Sequence, residues 1–130
     1  MANERILVVD DEEDIRDITR LLLENAGHGV MAVGDGASAL VALGEQAFDL
    51  VIIDMLMPEM DGVELINELH RRYPEQKILA MSGGGHAPKE SYLQIARMCG
   101  VQALLAKPFN QGQLVRAVEA ALSAGPGRAG

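Results

Sequence analysis

The 130-residue chain has no tryptophan and only 3% aromatic residues. That argues against a surface of stacked rings of the kind that grips single-stranded nucleic acid. Positive charge is also short: 11 Lys and Arg against 19 Asp and Glu give a formal net charge of −8. Nucleic-acid affinity rests largely on neutralising phosphates, so DNA and RNA are poor direct partners. A single cysteine, Cys99, rules out an internal disulfide. It fits a reducing compartment, and its place in an apolar helical stretch reads as packing rather than as a nucleophile. No apolar run approaches the ~20 residues that cross a bilayer. The N-terminus lacks the charged segment and apolar run of a secretory signal. A cytoplasmic protein with no membrane insertion is the simplest expectation.

What is present is an ordinary globular composition, 48% hydrophobic and 23% charged, in a length that suits one domain. Short apolar runs recur: Ile6–Val9, Val30–Val33, Leu50–Ile53, Ile78–Met81 and Val101–Leu105. Runs this short and rich in β-branched residues read as strands buried on both faces. Between them lie apolar residues at helical spacing. Ile15, Ile18 and Leu22 form one stripe with Gly27 as its stop. Asp35 can cap a helix carrying Ala39, Leu40 and Leu43. Val63, Ile66 and Leu69 form a third stripe ended by Pro74, and Leu114, Val118 and Leu122 a last one. A weaker helix is predicted over Glu90–Met98. The result is five βα units, which implies an α/β fold: a parallel sheet with helices on both faces and right-handed crossovers. The domain is expected over residues 1–122, with the Gly- and Ala-rich segment 123–130 as a disordered tail.

The chemistry gathers at the strand ends. Asp10 and Asp11 follow the first strand, and Asp54 follows the third. Open α/β sheets place their ligands at the carboxyl ends of their strands. Two carboxylates about 5 Å apart at an effective dielectric near 20 repel by roughly 3 kcal/mol, a cost that a bound Mg²⁺ removes with few protein oxygens. The plainer reading is that Asp10, Asp11 and Glu12 simply open a helix, where negative charge is favoured. The fourth strand ends at Ser82 and the fifth at Lys107-Pro108. Singly, Ser82 reads as a turn residue and Lys107 as a solvated charge. Together with the carboxylates they would surround a phosphoryl group. Lys107-Pro108 also invites a cis peptide. Beside Mg²⁺ and a lysine a carboxylate can attack phosphorus to form an acyl phosphate, and Asp54 is the best placed for it.

These residues resemble the receiver domain of bacterial response regulators in two-component signalling. The resemblance is carried by Val8-Val9-Asp10-Asp11-Glu12, by Asp54 to Gly62 (Asp-Met-Leu-Met-Pro-Glu-Met-Asp-Gly), by Ser82 and by Lys107-Pro108-Phe109. It spans about residues 4 to 122. It implies a flavodoxin-like, doubly wound sheet of five strands in the order 2-1-3-4-5 with five helices. It implies that Asp54 accepts a phosphoryl group from the phosphohistidine of a histidine kinase or phosphotransfer protein. By the same resemblance Asp11 and Asp54 ligate Mg²⁺, with Asp10 acting through water and the Leu56 backbone carbonyl completing the protein ligands. Lys107 would pair with the phosphoryl oxygens, and Ser82 would register their arrival. Signal would pass to a downstream protein through the surface around Pro88 to Leu122. The chain reads as a stand-alone receiver that slowly hydrolyses its own acyl phosphate.

Some positions depart from the family's pattern. Three residues before Lys107 the family usually has Tyr or Phe; here it is Leu104. A leucine cannot swap a ring between exposed and buried positions, so Gly83-Gly84-Gly85, with high backbone entropy, is the expected place for switch motion. Leu56 and Gly84 offer no side-chain hydrogen bond to hydrolytic water, so self-dephosphorylation is expected to be slow. Met55, Met57 and Met60 read as packing or as an adaptable contact surface, and His28, His70 and His86 as ordinary surface residues. The alternatives are a phosphohydrolase with an aspartyl nucleophile, a pseudo-receiver that binds without taking phosphate, and a flavin carrier. The first is disfavoured because Leu56 stands where such enzymes of the haloacid dehalogenase type carry their general acid. The last is disfavoured because the first turn, Asp11 to Asp14, is acidic where phosphate wants amides and hydroxyls.

Overall fold

The computed structural model describes residues 4–55, 62–82 and 100–124. In chain order these form β1 (Arg5–Val9), α1 (Glu13–Asn25), β2 (Gly29–Val33), α2 (Gly36–Glu45), β3 (Leu50–Asp54), α3 (Gly62–Arg72), β4 (Ile78–Ser82), β5 (Ala103–Ala106) and α4 (Gln111–Ser123). The strands make one parallel sheet in the order β2-β1-β3-β4-β5. Five helices are predicted; four lie among the described residues, and the segment Glu90–Met98, like Cys99 and the triple glycine, falls outside them.

The apolar runs become strands because both their faces are covered. Side chains alternate across a strand, so each run feeds two cores. Leu7, Val9, Val51, Ile53, Ile78 and Ala80 face α2 and α3, meeting Ala39, Leu43, Leu65, Ile66 and Leu69. Ile6, Val8, Leu50, Ile52, Leu79 and Met81 face the opposite side, meeting Leu23 of α1 and Leu114, Val118 and Ala121 of α4. β3 and β4 are buried along their whole length. The last strand starts two residues later than its apolar run, because Val101 and Gln102 still lead into it. Gln102 ties its side-chain oxygen to the Ile78 N–H at 2.7 Å.

The helix ends follow local chemistry. Asp35 caps α2 by accepting from the Ser38 N–H at 2.7 Å. Asn110 and Gln113 form a reciprocal capping box on α4. α1 stops at Gly27, whose φ of 98° suits a residue without Cβ. The N–H groups of Gly27 and His28 return to the carbonyls of Glu24 and Leu23. The phase of α1 differs from the expected stripe: Thr19 and Leu23 are its buried residues, while Ile18 is 52% exposed. Apolar residues on neighbouring faces of this helix leave its rotation undetermined until it meets the sheet. α4 runs through Ser123, one residue into the segment expected as a tail; residues 125–130 lie outside the description.

Candidate functional site

The parallel register sets four strand ends in a row. Val9 is level with Ile53, Asp54 with Met81, and Ser82 with Ala106. The ladder continues beyond the strands: Asp10 N–H donates to the Val33 carbonyl at 3.2 Å, Met55 N–H to Met81 at 2.9 Å, and Lys107 N–H to Ser82 at 2.7 Å. Asp10, Asp54, Ser82 and Lys107 therefore share one rim of the sheet, as their positions in the sequence imply. The first three are essentially inaccessible, at 0%, 2% and 1% exposure. The Lys107–Pro108 peptide is cis, as the sequence suggests.

Lys107 is the electrostatic centre of this rim. Its Nζ lies 2.9 Å from Asp10 Oδ2, 3.3 Å from Glu12 Oε1 and 3.5 Å from Asp54 Oδ2. Burial is the largest single influence on its titration and acts to lower its pKa. The hydrogen bond to Asp10, the fields of Asp54 and Asp10, and the bond to Glu12 together overcome it and hold Lys107 above the ordinary lysine value. The ammonium is thus fixed as a cation among three carboxylates.

One ammonium does not satisfy the whole cluster. Asp10 Oδ2 is buried and meets Lys107 at 2.9 Å, yet three carboxylates share that one positive charge. Carboxylate oxygens of Asp10, Glu12 and Asp54 come within 4.8 Å of one another. Hard oxygen donors carrying excess negative charge at this spacing fit Mg²⁺, which needs only a few protein oxygens and keeps its remaining waters. Asp11, expected as a ligand, is exposed and stands outside this group. Glu12 takes a place in it. The expected Leu56 carbonyl lies outside the described residues. Glu12 is the extended residue that precedes α1, and its side chain reaches back over the rim to Lys107. The sequence places Glu12 in the acidic run that opens α1 and in the family motif, while the expected ligands of that run are Asp10 and Asp11.

Two further contacts shape the rim. Gly62 opens α3 against the segment after Asp54: a Cβ there would lie 2.6 Å from Met55 Cα and 3.0 Å from the Asp54 carbonyl oxygen. Met55 itself is buried, in keeping with packing; Met57, Met60 and His86 lie outside the described residues. Leu104 of β5 is partly buried against the α2–α3 core. His28 accepts the Glu4 N–H on its Nδ1 at 3.2 Å, a tie at the opposite rim. Among the described residues no helix is long and apolar enough to cross a membrane.

A doubly wound sheet whose strand ends set carboxylates, a lysine and a serine along one rim is the frame of a phosphoacceptor signalling domain, and the known proteins agree. Residues 6–119 match the family described as the response regulator receiver domain; the chain belongs to it. It is 36% identical over 120 residues to the response regulator receiver protein CpdR of Brucella abortus (strain 2308), covering 92% of this chain and 98% of that one. It is 30% identical over 120 residues to the regulatory protein VanRc of Enterococcus gallinarum, covering 92% of this chain. There it spans only 50% of the relative's length. The crystal structure of the receiver domain of NtrX from Brucella abortus superposes with a TM-score of 0.83 at 35% identity, covering 92% of this chain and 98% of that one. Receiver domains of two-component systems typically bind Mg²⁺ through acidic residues.

Proposed function

We propose that Asp54 is the phosphoacceptor and that a phosphohistidine on a histidine kinase or phosphotransfer protein is the donor. A carboxylate oxygen of Asp54 attacks phosphorus, the P–N bond to the donor imidazole breaks, and the departing imidazole takes up a proton. An acyl phosphate on Asp54 results. Asp10, Asp54 and Glu12 offer the oxygens described above for Mg²⁺, with Asp11 and the Leu56 carbonyl as further candidate ligands. When bound, the ion neutralises phosphoryl charge and holds the group in line. Lys107, already charged and 3.5 Å from Asp54 Oδ2, turns from its carboxylates to the phosphoryl oxygens. Ser82, at the end of the next strand, offers a hydroxyl. Phosphorylation then favours one of two packings of the domain and so alters its surface for a downstream protein.

The observation that carries this reading is the buried convergence of Lys107 on Asp10 and Asp54 at the carboxyl rim. It is tested by incubating the chain with acetyl phosphate and following intact mass. Addition of one phosphoryl group is expected in the parent, to depend on Mg²⁺ and to vanish in Asp54→Ala. Labelling that persists in Asp54→Ala would overturn the assignment.

A further inference from the structure

Asp10 is held at each of its polar groups. Its N–H donates to the Val33 carbonyl, its Oδ1 accepts from the Glu12 N–H at 2.9 Å, and its Oδ2 faces Lys107. Its carbonyl accepts from Arg16 Nη1 at 2.9 Å. Arg16 stands in the first turns of α1, where its own N–H donates to the Glu12 carbonyl at 3.0 Å. One residue therefore grips both acidic neighbours of the site, Asp10 through its side chain and Glu12 through its main chain.

The guanidinium also has a seat. A Cβ on Gly34 would lie 2.9 Å from Arg16 Nη1 and 3.6 Å from its Cζ. Gly34 is not among the left-handed glycines, so what it supplies is room. It follows β2 and precedes Asp35, the cap of α2. Arg16 thus joins the acidic β1–α1 turn to the β2–α2 turn through a bare Cα.

We propose that Arg16 is a positioning residue for the metal and phosphoryl site, and that Gly34 is the seat that lets it act. By fixing the Asp10 carbonyl it fixes the direction of the Asp10 carboxylate relative to Asp54 and Lys107. The inference rests on the reading that this rim takes Mg²⁺. Charge alone makes the opposite forecast: removing a cation from beside a cation site should tighten Mg²⁺ binding. The sign of the change therefore separates positioning from simple electrostatics.

The test is calorimetric titration of the chain with Mg²⁺, paired with thermal unfolding in EDTA. Arg16→Ala is expected to weaken Mg²⁺ binding about tenfold, the lower end for loss of a group that orients a metal ligand. Arg16→Lys restores part of that loss. Gly34→Ala, whose new methyl displaces only the flexible end of Arg16, weakens binding severalfold in the parent and has no effect in the Arg16→Ala background. Unchanged or tighter Mg²⁺ binding in Arg16→Ala overturns the proposal, including where the metal-free melting temperature falls. If Arg16→Ala does not fold, Gly34→Ala decides alone, and parental affinity in that variant overturns the proposal. A parent that takes up no Mg²⁺ overturns the function proposed for the rim and this inference with it. A parent that binds while its variants match it overturns the role of Arg16 alone.

Discussion

The two rims of the sheet treat charge in opposite ways. At the carboxyl rim Asp10 and Asp54 are buried, and the Lys107 side chain between them is 9% exposed. At the amino rim the charged and polar side chains act as ties. Asp49 accepts the Arg5 N–H at 2.8 Å in an exposed setting, Lys77 donates to the Leu122 carbonyl, and His28 accepts from Glu4. The amino rim even holds a groove of about 620 Å³ lined by Phe48, Asp49, Tyr73 and Lys77. Size does not make it the site: Asp49 and Lys77 in its lining are already spent on backbone groups. Burying like charges around one cation costs stability, and among the described residues the molecule accepts that cost only at the carboxyl rim.

The contrast is broken most severely by Lys107→Met. It leaves buried carboxylates facing one another without a cation, so a loss of about 3 kcal/mol is expected in EDTA, with part of it regained on adding Mg²⁺. Lys77→Met at the other rim removes a single hydrogen bond and is expected to cost about 1 kcal/mol, with no recovery by Mg²⁺. Urea unfolding with and without the ion compares the two, and equal losses would erase the distinction between the rims.

Gly62→Ala sharpens it next. Its methyl meets main chain rather than a flexible side chain, so the segment after Asp54 must shift. A loss of about 2 kcal/mol is expected, together with slower phosphorylation by acetyl phosphate.

Asp35→Ala acts beside the rim without touching its charges. It removes the α2 cap and is expected to cost about 1 kcal/mol at neutral pH. The bond from the Ser38 N–H holds the Asp35 carboxyl below its usual range. Its contribution is therefore present above the unfolded pKa and lost as pH falls through the lower folded one. The difference between parent and variant should shrink in acid, which urea melts at neutral and strongly acidic pH would show.

The smallest effect has the opposite sign. Among the described residues the buried Thr19 hydroxyl has no hydrogen-bond partner, so Thr19→Val is expected to stabilise by up to about 1 kcal/mol and to leave phosphorylation unchanged. A loss of stability in thermal unfolding would show that the hydroxyl is in use.

Much of this was legible in the residues. Strands with both faces covered are written as unbroken apolar runs, so Leu50–Ile53 and the placement of Asp54 at its end could be read directly. Asp35 announced its cap, and Lys107-Pro108 its peptide geometry. Two features were not legible. The rotation of α1 depends on which of several apolar faces meets the sheet, and packing chose Thr19 and Leu23 over Ile18. In the acidic run each carboxylate is chemically equivalent in sequence, and the backbone leaving β1 decides which ones turn inward. It buries Asp10, brings the exposed Glu12 within 3.3 Å of Lys107 and leaves Asp11 exposed.

The most direct test of a carboxyl rim built for a metal-held phosphoryl group is an amide chemical-shift map of the chain on adding Mg²⁺ and then beryllofluoride, an acyl-phosphate mimic. Saturable shifts are expected around Asp10, Glu12, Asp54, Ser82 and Lys107, with Glu4, Asp49 and Lys77 unmoved. Shifts centred on the amino rim, or none at either, would contradict it.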